Sequence, residues 1–423
     1  MMIFTSIYGV VDGFFVSNFV GKTPFAAINL IMPFLMICGA VGFMLGAGGS
    51  ALVAKTMGEG DREKAKRIFS LLVYVSFGIG IVIAAVGMIF IRPISVFLGA
   101  EGAMIDDCVT YASIILPALP MFMLQNQFQS FLITAEKPGL GLAVTIAAGV
   151  TNMVLDALLV AIFSLGLVGA ALATAASQFI GGVIPLIYFI SKNKSPLRLG
   201  KTSFDFSALQ KSVTNGSSEF VSNISMSLVG MVYNFQLMEI AGEDGVAAYG
   251  VIMYVSFIFI AVFLGYSIGA APIIGFNFGA KNRVELKNVY KKSLIIMAIF
   301  SAVLTALGIG LSYPLSYIFV GYDADLLAMT THAMAIYSIS FAFAGFNIFA
   351  SSFFTALGEG AISAIISFIR TLIFQILSVI LLPMIMPEAL KLDGVWLSIA
   401  LAELLSIILS FAFIIGKRKK FGY

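Results

Sequence analysis

The sequence predicts an all-α polytopic membrane protein: twelve transmembrane helices in two homologous six-helix bundles. Three observations predict it. Sixty per cent of the 423 residues are hydrophobic and 11% are charged, and mean hydropathy is +1.05. A soluble chain cannot hide that much apolar surface, so the bilayer must be the solvent. The basic residues alternate between loops, and the chain repeats itself halfway along.

A helix needs roughly 20 apolar residues to cross the ~30 Å hydrocarbon core. Reading between charged and Gly/Pro punctuation gives spans at 1–20, 26–54, 68–91, 107–134, 140–163, 167–190, 215–240, 246–277, 291–320, 326–357, 361–384 and 394–416. They are numbered 1 to 12. The first has no basic flank ahead of it and runs on into further spans, so it reads as a span and not as a cleaved signal. It begins at Met1 itself, which implies that residues upstream have been clipped.

Basic residues orient the bundle. Alternate loops, beginning after span 2, together with the tail Lys417-Arg418-Lys419-Lys420, hold twenty of the 24 Lys and Arg. The opposite side holds Lys22, Arg92 and Lys391, and Arg370 lies inside a span. The positive-inside rule places both termini in the cytoplasm and requires an even number of spans. The chain therefore divides into an N-terminal lobe over 1–190, a cytoplasmic linker over 191–214, a C-terminal lobe over 215–416 and a basic tail over 417–423.

The repeat has an offset of 221. Met57-Gly58-Glu59-Gly60-Asp61-Arg62 recurs as Phe278-Gly279-Ala280-Lys281-Asn282-Arg283, and Gly48, Thr134 and Gly139 recur as Gly269, Thr355 and Gly360. After a four-residue insertion Gly169 pairs with Gly394. Six spans per copy make the copies parallel, and transporters built from repeats bind cargo near the midplane between them.

Ionisable groups at lipid depth are expensive, so each is a functional hypothesis. Asp12, Asp156, Glu219, Arg370 and Glu403 qualify. Asp12 lies mid-way along span 1 with Tyr8 one turn before it. Asn152 and Asp156, four apart, share one face of span 5. Thr174 sits in the small-residue run of span 6, where helices can approach closely. Two carboxylates, an amide and a hydroxyl in one lobe suit proton loading, since burial and mutual repulsion raise a carboxylate pKa. The same oxygens suit Na⁺ at Asp12 and Asp156. A polar staple between helices is the bland alternative. At the repeat offsets Asp12, Asn152, Asp156 and Thr174 become Tyr233, Ile373, Leu377 and Ile399, which assigns ion coupling to the N-terminal lobe alone.

In the C-terminal lobe, Arg370 and Glu403 on adjacent spans are expected to cancel each other as a salt bridge. Glu219 opens span 7 and is a candidate receptor for a cation. Phe15, Met32, Met253 and Phe257 are candidates for cavity walls that hold flat lipophilic cations through cation–π and sulfur–aromatic contacts.

Other chemistry finds little support. Cys38 and Cys108 form no CxxC, and His332 is the single histidine, so neither a disulfide framework nor a metal centre is expected. The Gly58–Arg67 loop lacks GxxxxGK[ST], so nucleotide binding is not expected. No HExxH, GxGD or paired Asp-rich motif marks a membrane enzyme; Asp106-Asp107 and Asp323/Asp325 read as solvated loop acids. The expected partners are the lipid bilayer, small lipophilic or cationic molecules, and H⁺ or Na⁺, with no cofactor and no nucleic acid.

Several stretches resemble the multidrug and toxic compound extrusion (MATE) family, in the manner of its bacterial MepA-like and DinF-like branch. They are Tyr8-Gly9-Val10-Val11-Asp12-Gly13-Phe14-Phe15 in span 1 and Gly46-Ala47-Gly48-Gly49 with Gly58-Glu59-Gly60-Asp61 after span 2. Asn152-x-x-x-Asp156 with Gly169-Ala170-Ala171-x-Ala173-Thr174, and Gly269-x-x-Pro272 through Asn277-x-Gly279-Ala280, complete the set. Their order over nearly the whole chain carries the specificity. The resemblance implies two six-helix bundles in a V that rocks between outward- and inward-open states. It implies drug or organic-cation efflux against H⁺ or Na⁺ in a bacterial inner membrane by a monomer. By position it implies ion coupling at Asp12, Asn152, Asp156 and Thr174. A lipid-linked oligosaccharide flippase of the same superfamily is the close rival; it would want a cationic cavity. Departures lie in the residues upstream of span 1 and in the polar run Gln125-Asn126-Gln127.

Overall fold

The computed structural model describes residues 4–5, 19–20 and 22–423. Span 1, with Tyr8, Asp12 and Phe15, lies outside the described residues. Among the described residues the regular structure is helical, as the bilayer demands of a chain whose backbone polar groups must pair internally.

Ten helical stretches are long and apolar enough to cross a membrane. The longest, Phe206–Gly279, is broken at Gly242 (φ 64, ψ −151), a conformation only glycine adopts without strain. Spans 7 and 8 are its two arms, so spans 2 to 12 are all accounted for. Span 4 (Ala103–Thr134) and span 10 (Ala324–Ala356) begin at the repeat offset and end within one residue of it. Each tightens to 3₁₀ geometry midway, at Leu116–Ala118 and Ser338–Ser340.

The chain forms two compact units, Ile3–Gly216 and Ser217–Tyr423. In the first, spans 2 and 4 meet backbone to backbone. A Cβ at Gly42 would lie 2.3 Å from the Met123 carbonyl oxygen, and one at Gly46 would lie 2.9 Å from the Gln127 Cα. Small residues let dispersion act over a short interaxial distance where lipid supplies no hydrophobic drive. A similar approach fixes the first turns of the Phe206 helix to span 2: a Cβ at Gly216 would lie 1.9 Å from the Met44 carbonyl oxygen.

The stretch read from sequence as a linker is not free. Leu197 is fully buried, the Gly200 amide donates to Ser70 Oγ (3.1 Å), and Thr202 Oγ1 donates to the Arg67 carbonyl (2.9 Å). These bonds satisfy groups that an extended segment would otherwise leave unpaired. The basic tail likewise continues the last helix, Lys391–Phe421. Beyond it Tyr423 tucks back, its hydroxyl donating to the Ile414 carbonyl (2.8 Å) and its ring lying edge-on to Phe353. Burial, reinforced by nearby Tyr290, pushes the Tyr423 phenol above its ordinary pKa.

The repeat is visible in hydrogen bonds as well as in letters. Asp61 Oδ1 accepts from the Lys64 amide (3.0 Å), and Asn282 Oδ1 accepts from the Glu285 amide (3.1 Å). These are matching N-caps. Just before them the chain turns through positive φ, at Gly60 (92°) in one copy and Lys281 (57°) in the other. A side chain in that region is strained by about 1 kcal/mol. Lys281→Gly is therefore expected to raise the melting temperature of the purified chain modestly, the relief being worth up to ~1 kcal/mol before the glycine's greater unfolded-state entropy is subtracted. Differential scanning fluorimetry in detergent, against Gly60→Lys as the reverse change, measures it; an unchanged or lower melting temperature for Lys281→Gly contradicts the strain.

Candidate functional site

Each lobe interrupts one span with a π-helical turn: Asp156–Ile162 in span 5 and Ile369–Phe374 in span 11. Such turns widen the helix by one residue and recur at functional sites. Both carry an intramembrane charge, Asp156 as the first residue of one and Arg370 as the second of the other.

In the N-terminal lobe Asp156 is completely buried and Asn152 is 2% exposed. The Asn152 Oδ1 accepts no hydrogen bond among the described residues. Span 6 comes close to the π turn because Gly169 has no side chain; a Cβ there would lie 3.0 Å from the Leu159 backbone. One and two turns further along, Thr174 and Gln178 line a small void of ≈ 30 Å³ together with Met32, Met36 and Tyr111. Gln178 is buried and its Oε1 is without a hydrogen bond among the described residues. Of the N-lobe residues singled out from sequence, then, Thr174 and Met32 share a pocket, and Asn152 and Asp156 are buried on span 5. Asp12, Tyr8 and Phe15 lie outside the described residues.

The C-terminal lobe contains a larger void of ≈ 90 Å³, lined by Met253, Phe257, Arg370 and Glu403 among others. Arg370 and Glu403 are in contact. Nε donates to Oε1 and Oε2 at 2.9 Å each, and Nη2 lies 2.8 Å from Oε1. Glu403 is further held by Asn347 Nδ2 at 2.8 Å. Asn347 in turn accepts from Ser410 Oγ at 2.9 Å. Glu403 and Asn347 are buried. A buried pair of this kind persists only when its remaining lone pairs are satisfied, and Asn347 does that here. Glu219 does not line the void.

Aromatic side chains also line this void. Tyr233 and Tyr249 stack in parallel, with centroids 5.0 Å apart and planes within 1°. Tyr233 holds its hydroxyl 2.6 Å from Ser398 Oγ.

The two voids are the same place in the two copies. Met32, Leu35 and Met36 become Met253, Ser256 and Phe257 at the offset of 221, and all six are lining residues. Thr174 and Gln178 become Ile399 and Glu403 at the later offset of 225, again lining in both. Asn126, whose amide reaches the Gly39 carbonyl at 3.4 Å, becomes Asn347. Sequence reasoning missed Asn347, Ser410, Gln178 and the tyrosines. The signal available for them was the offset itself, which aligns Asn126 with Asn347 and Gln178 with Glu403 and places Tyr233 at the position of Asp12.

Comparison with known proteins decides the family. The MatE family model matches residues 1–158 and 220–381. The chain belongs to the MatE family. Similar curated relatives of this MatE chain include the multidrug export protein MepA of Staphylococcus haemolyticus (strain JCSC1435), 24% identical over 416 residues, 98% of this chain and 90% of that one. MepA of Staphylococcus aureus (strain MSSA476) is 24% identical over 402 residues, 94% of this chain and 86% of that one. Among solved structures, an outward-facing multidrug resistance MATE transporter of the MOP superfamily superposes with a TM-score of 0.93 at 22% identity. It covers 99% of this chain and 94% of its own. A MOP superfamily transporter from Pyrococcus furiosus, described as having a binding pocket of reversed polarity, gives 0.89 at 21% identity, covering 100% and 94%. These likenesses fix the MATE fold.

Charge pairing makes a test of the C-lobe. Removing one partner of a buried pair strands the other and costs about 3–5 kcal/mol, whereas removing both is far milder. Arg370→Gln and Glu403→Gln are each expected to lower the melting temperature sharply, and Arg370→Gln/Glu403→Gln together by much less than the sum. A double-mutant cycle by thermal melting in detergent reads the coupling; additive effects would mean the contact carries no net interaction.

Proposed function

We propose that this MatE-family chain is a multidrug exporter that moves drugs or organic cations outward in exchange for H⁺ or Na⁺ by alternating access. The observation that carries the coupling is Asp156: a carboxylate with no exposure, placed at lipid depth at the first residue of a π turn, with Asn152 buried one turn before it. Retaining such a group is expensive, and proton or cation exchange explains why it is kept. The names of the staphylococcal relatives support the export of drugs.

In this mechanism Asp12, Asn152, Asp156 and Thr174 form the coupling site. A proton or Na⁺ arriving there neutralises the carboxylates, changes the packing of span 1 and weakens cargo binding, so that cargo leaves outward and the ion leaves inward. Tyr8, Phe15, Met32, Glu219, Met253 and Phe257 are the proposed cargo contacts. One charge crossing 100 mV releases ~2.3 kcal/mol, roughly a 50-fold concentration ratio, so one or two ions per cycle suffice. The protein works as a monomer in a bacterial inner membrane with both termini in the cytoplasm.

Asp12→Asn and Asp156→Asn are each expected to cut ion-driven dye extrusion at least about tenfold at unchanged membrane abundance, removal of a site that exchanges charge being worth well over 1.4 kcal/mol. Everted vesicles with proton and Na⁺ gradients imposed separately measure the rates and name the driving ion. Wild-type extrusion by both variants would sink the coupling role.

A further inference from the structure

We infer that a file of buried amide side chains on spans 4, 5 and 6 is the route by which a small monovalent cation, Na⁺ or hydronium, leaves Asp156 toward the cytoplasm. The inference rests on the coupling role of Asp156 and adds a path to it.

The polar run of span 4 is what the coupling site leaves unexplained. Gln125 and Gln129, four apart, share one face of that helix. They are 8% and 7% exposed, and Gln178 on span 6 is 8% exposed. The Oε1 of each has no hydrogen bond among the described residues, and neither has the Asn152 Oδ1. A buried carbonyl left unpaired costs more than an ordinary hydrogen bond gains, and at lipid depth no bulk water relieves it. Four such oxygens in one lobe call for a guest that carries positive charge or donates hydrogen bonds.

The four follow one another through the depth of the bundle. Span 5 runs outward and span 6 returns inward, and the two are pinned where Gly169 meets the Leu159 backbone. Counting inward from that pin along both helices gives Asp156, Thr174, Asn152 and Gln178, spread over roughly 9 Å at 1.5 Å per residue. Thr174 and Gln178 line the ≈ 30 Å³ void, room for about one or two waters. Gln125 comes next: a Cβ at Gly181, one turn beyond Gln178, would lie 2.7 Å from its Oε1. Gln129 is one turn further toward Thr134 and Lys137, the end that the basic loops assign to the cytoplasm. Oxygens about a turn apart can replace the hydration of a cation step by step, as carbonyls do in selectivity filters. Beyond Gln129, Phe69 packs edge-on against Phe131 and Phe189, and loosening of that cluster lets the cation out.

The repeat separates this file from the needs of the frame. At the offset of 221 Gln125, Gln129 and Asn152 become Phe346, Ala350 and Ile373. Gln178 alone keeps a polar counterpart, Glu403, and Arg370 occupies it. The lobe without an equivalent of Asp156 therefore lacks the file as well, so helix packing does not require it. Gln127, whose Cα faces Gly46 of span 2, lies on another face and is not a rung.

Replacing two rungs by leucine tests the path. Ethidium extrusion is to be measured in everted vesicles with proton and Na⁺ gradients imposed separately. The chains compared, at matched membrane abundance, are wild type, Gln125→Leu/Gln129→Leu, Gln125→Asn/Gln129→Asn and Asp156→Asn. The gradient that drives wild type names the cation. Release of the cation follows delivery of the dye, so slowing it lowers the maximal rate and the half-saturating dye concentration together. The leucine pair is expected to lower both about tenfold or more and to leave their ratio within about twofold. Its melting temperature in detergent is expected not to fall, because an apolar side chain of similar size replaces an unpaired amide. The asparagine pair keeps the carbonyls and is expected to retain at least about half of the maximal rate. Wild-type kinetics in the leucine pair, a raised half-saturating dye concentration, a lowered melting temperature, or an asparagine pair as slow as the leucine pair would each overturn the path. Wild-type extrusion by Asp156→Asn removes the coupling role and the path with it. Failure of the leucine prediction beside an inactive Asp156→Asn removes the path alone.

Discussion

Everything in this molecule answers to one constraint: at lipid depth there is no water to solvate a charge or a stray backbone group. The contact of Arg370 with Glu403 shows how the constraint is met. Two ions that would each be prohibitive alone are brought within 2.8 Å, and Asn347 and Ser410 close the remaining valences. The net value of such a cluster for stability is small, because desolvation offsets the attraction. Its consequence is positional: it fixes span 10, span 11 and span 12 against one another around a void.

The π turns belong to the same economy of backbone bonds. An extra residue in spans 5 and 11 shifts the side-chain register by about a third of a turn without breaking the helix. Asp156, at the start of one turn, is completely buried; Arg370, in the other, lines the C-lobe void. The caps Asp61 and Asn282, the 3₁₀ tightening of spans 4 and 10, and the paired voids show that the duplicated frame survived almost unchanged. Polarity is what diverged. A carboxylate at Asp12 stands where the other copy has a tyrosine bonded to Ser398, and an amide at Gln178 stands where the other copy has the Glu403 carboxylate.

The frame is built on glycine contacts, and the voids are lined by larger side chains. Gly42 and Gly46 put the span 2 backbone against span 4, whereas methionines and tyrosines line the cavities.

Sequence alone determined the helical class, the span positions from 2 to 12, the repeat and the family, because hydropathy over 20 residues and a constant offset of 221 are properties of the linear chain. It also named Asn152, Asp156, Thr174, Arg370 and Glu403, since polar residues in apolar runs stand out without any structure. Tertiary structure alone decided which of them share a space. Thr174 meets Met32, and Arg370 meets Glu403 and Met253, whereas Glu219 stays outside. The π turns, the Asn347 bridge and the docked linker were also invisible in the letters. Each depends on helix rotation and on pairing between distant elements, and a helix whose faces are all apolar carries no periodic mark of which side faces its neighbours.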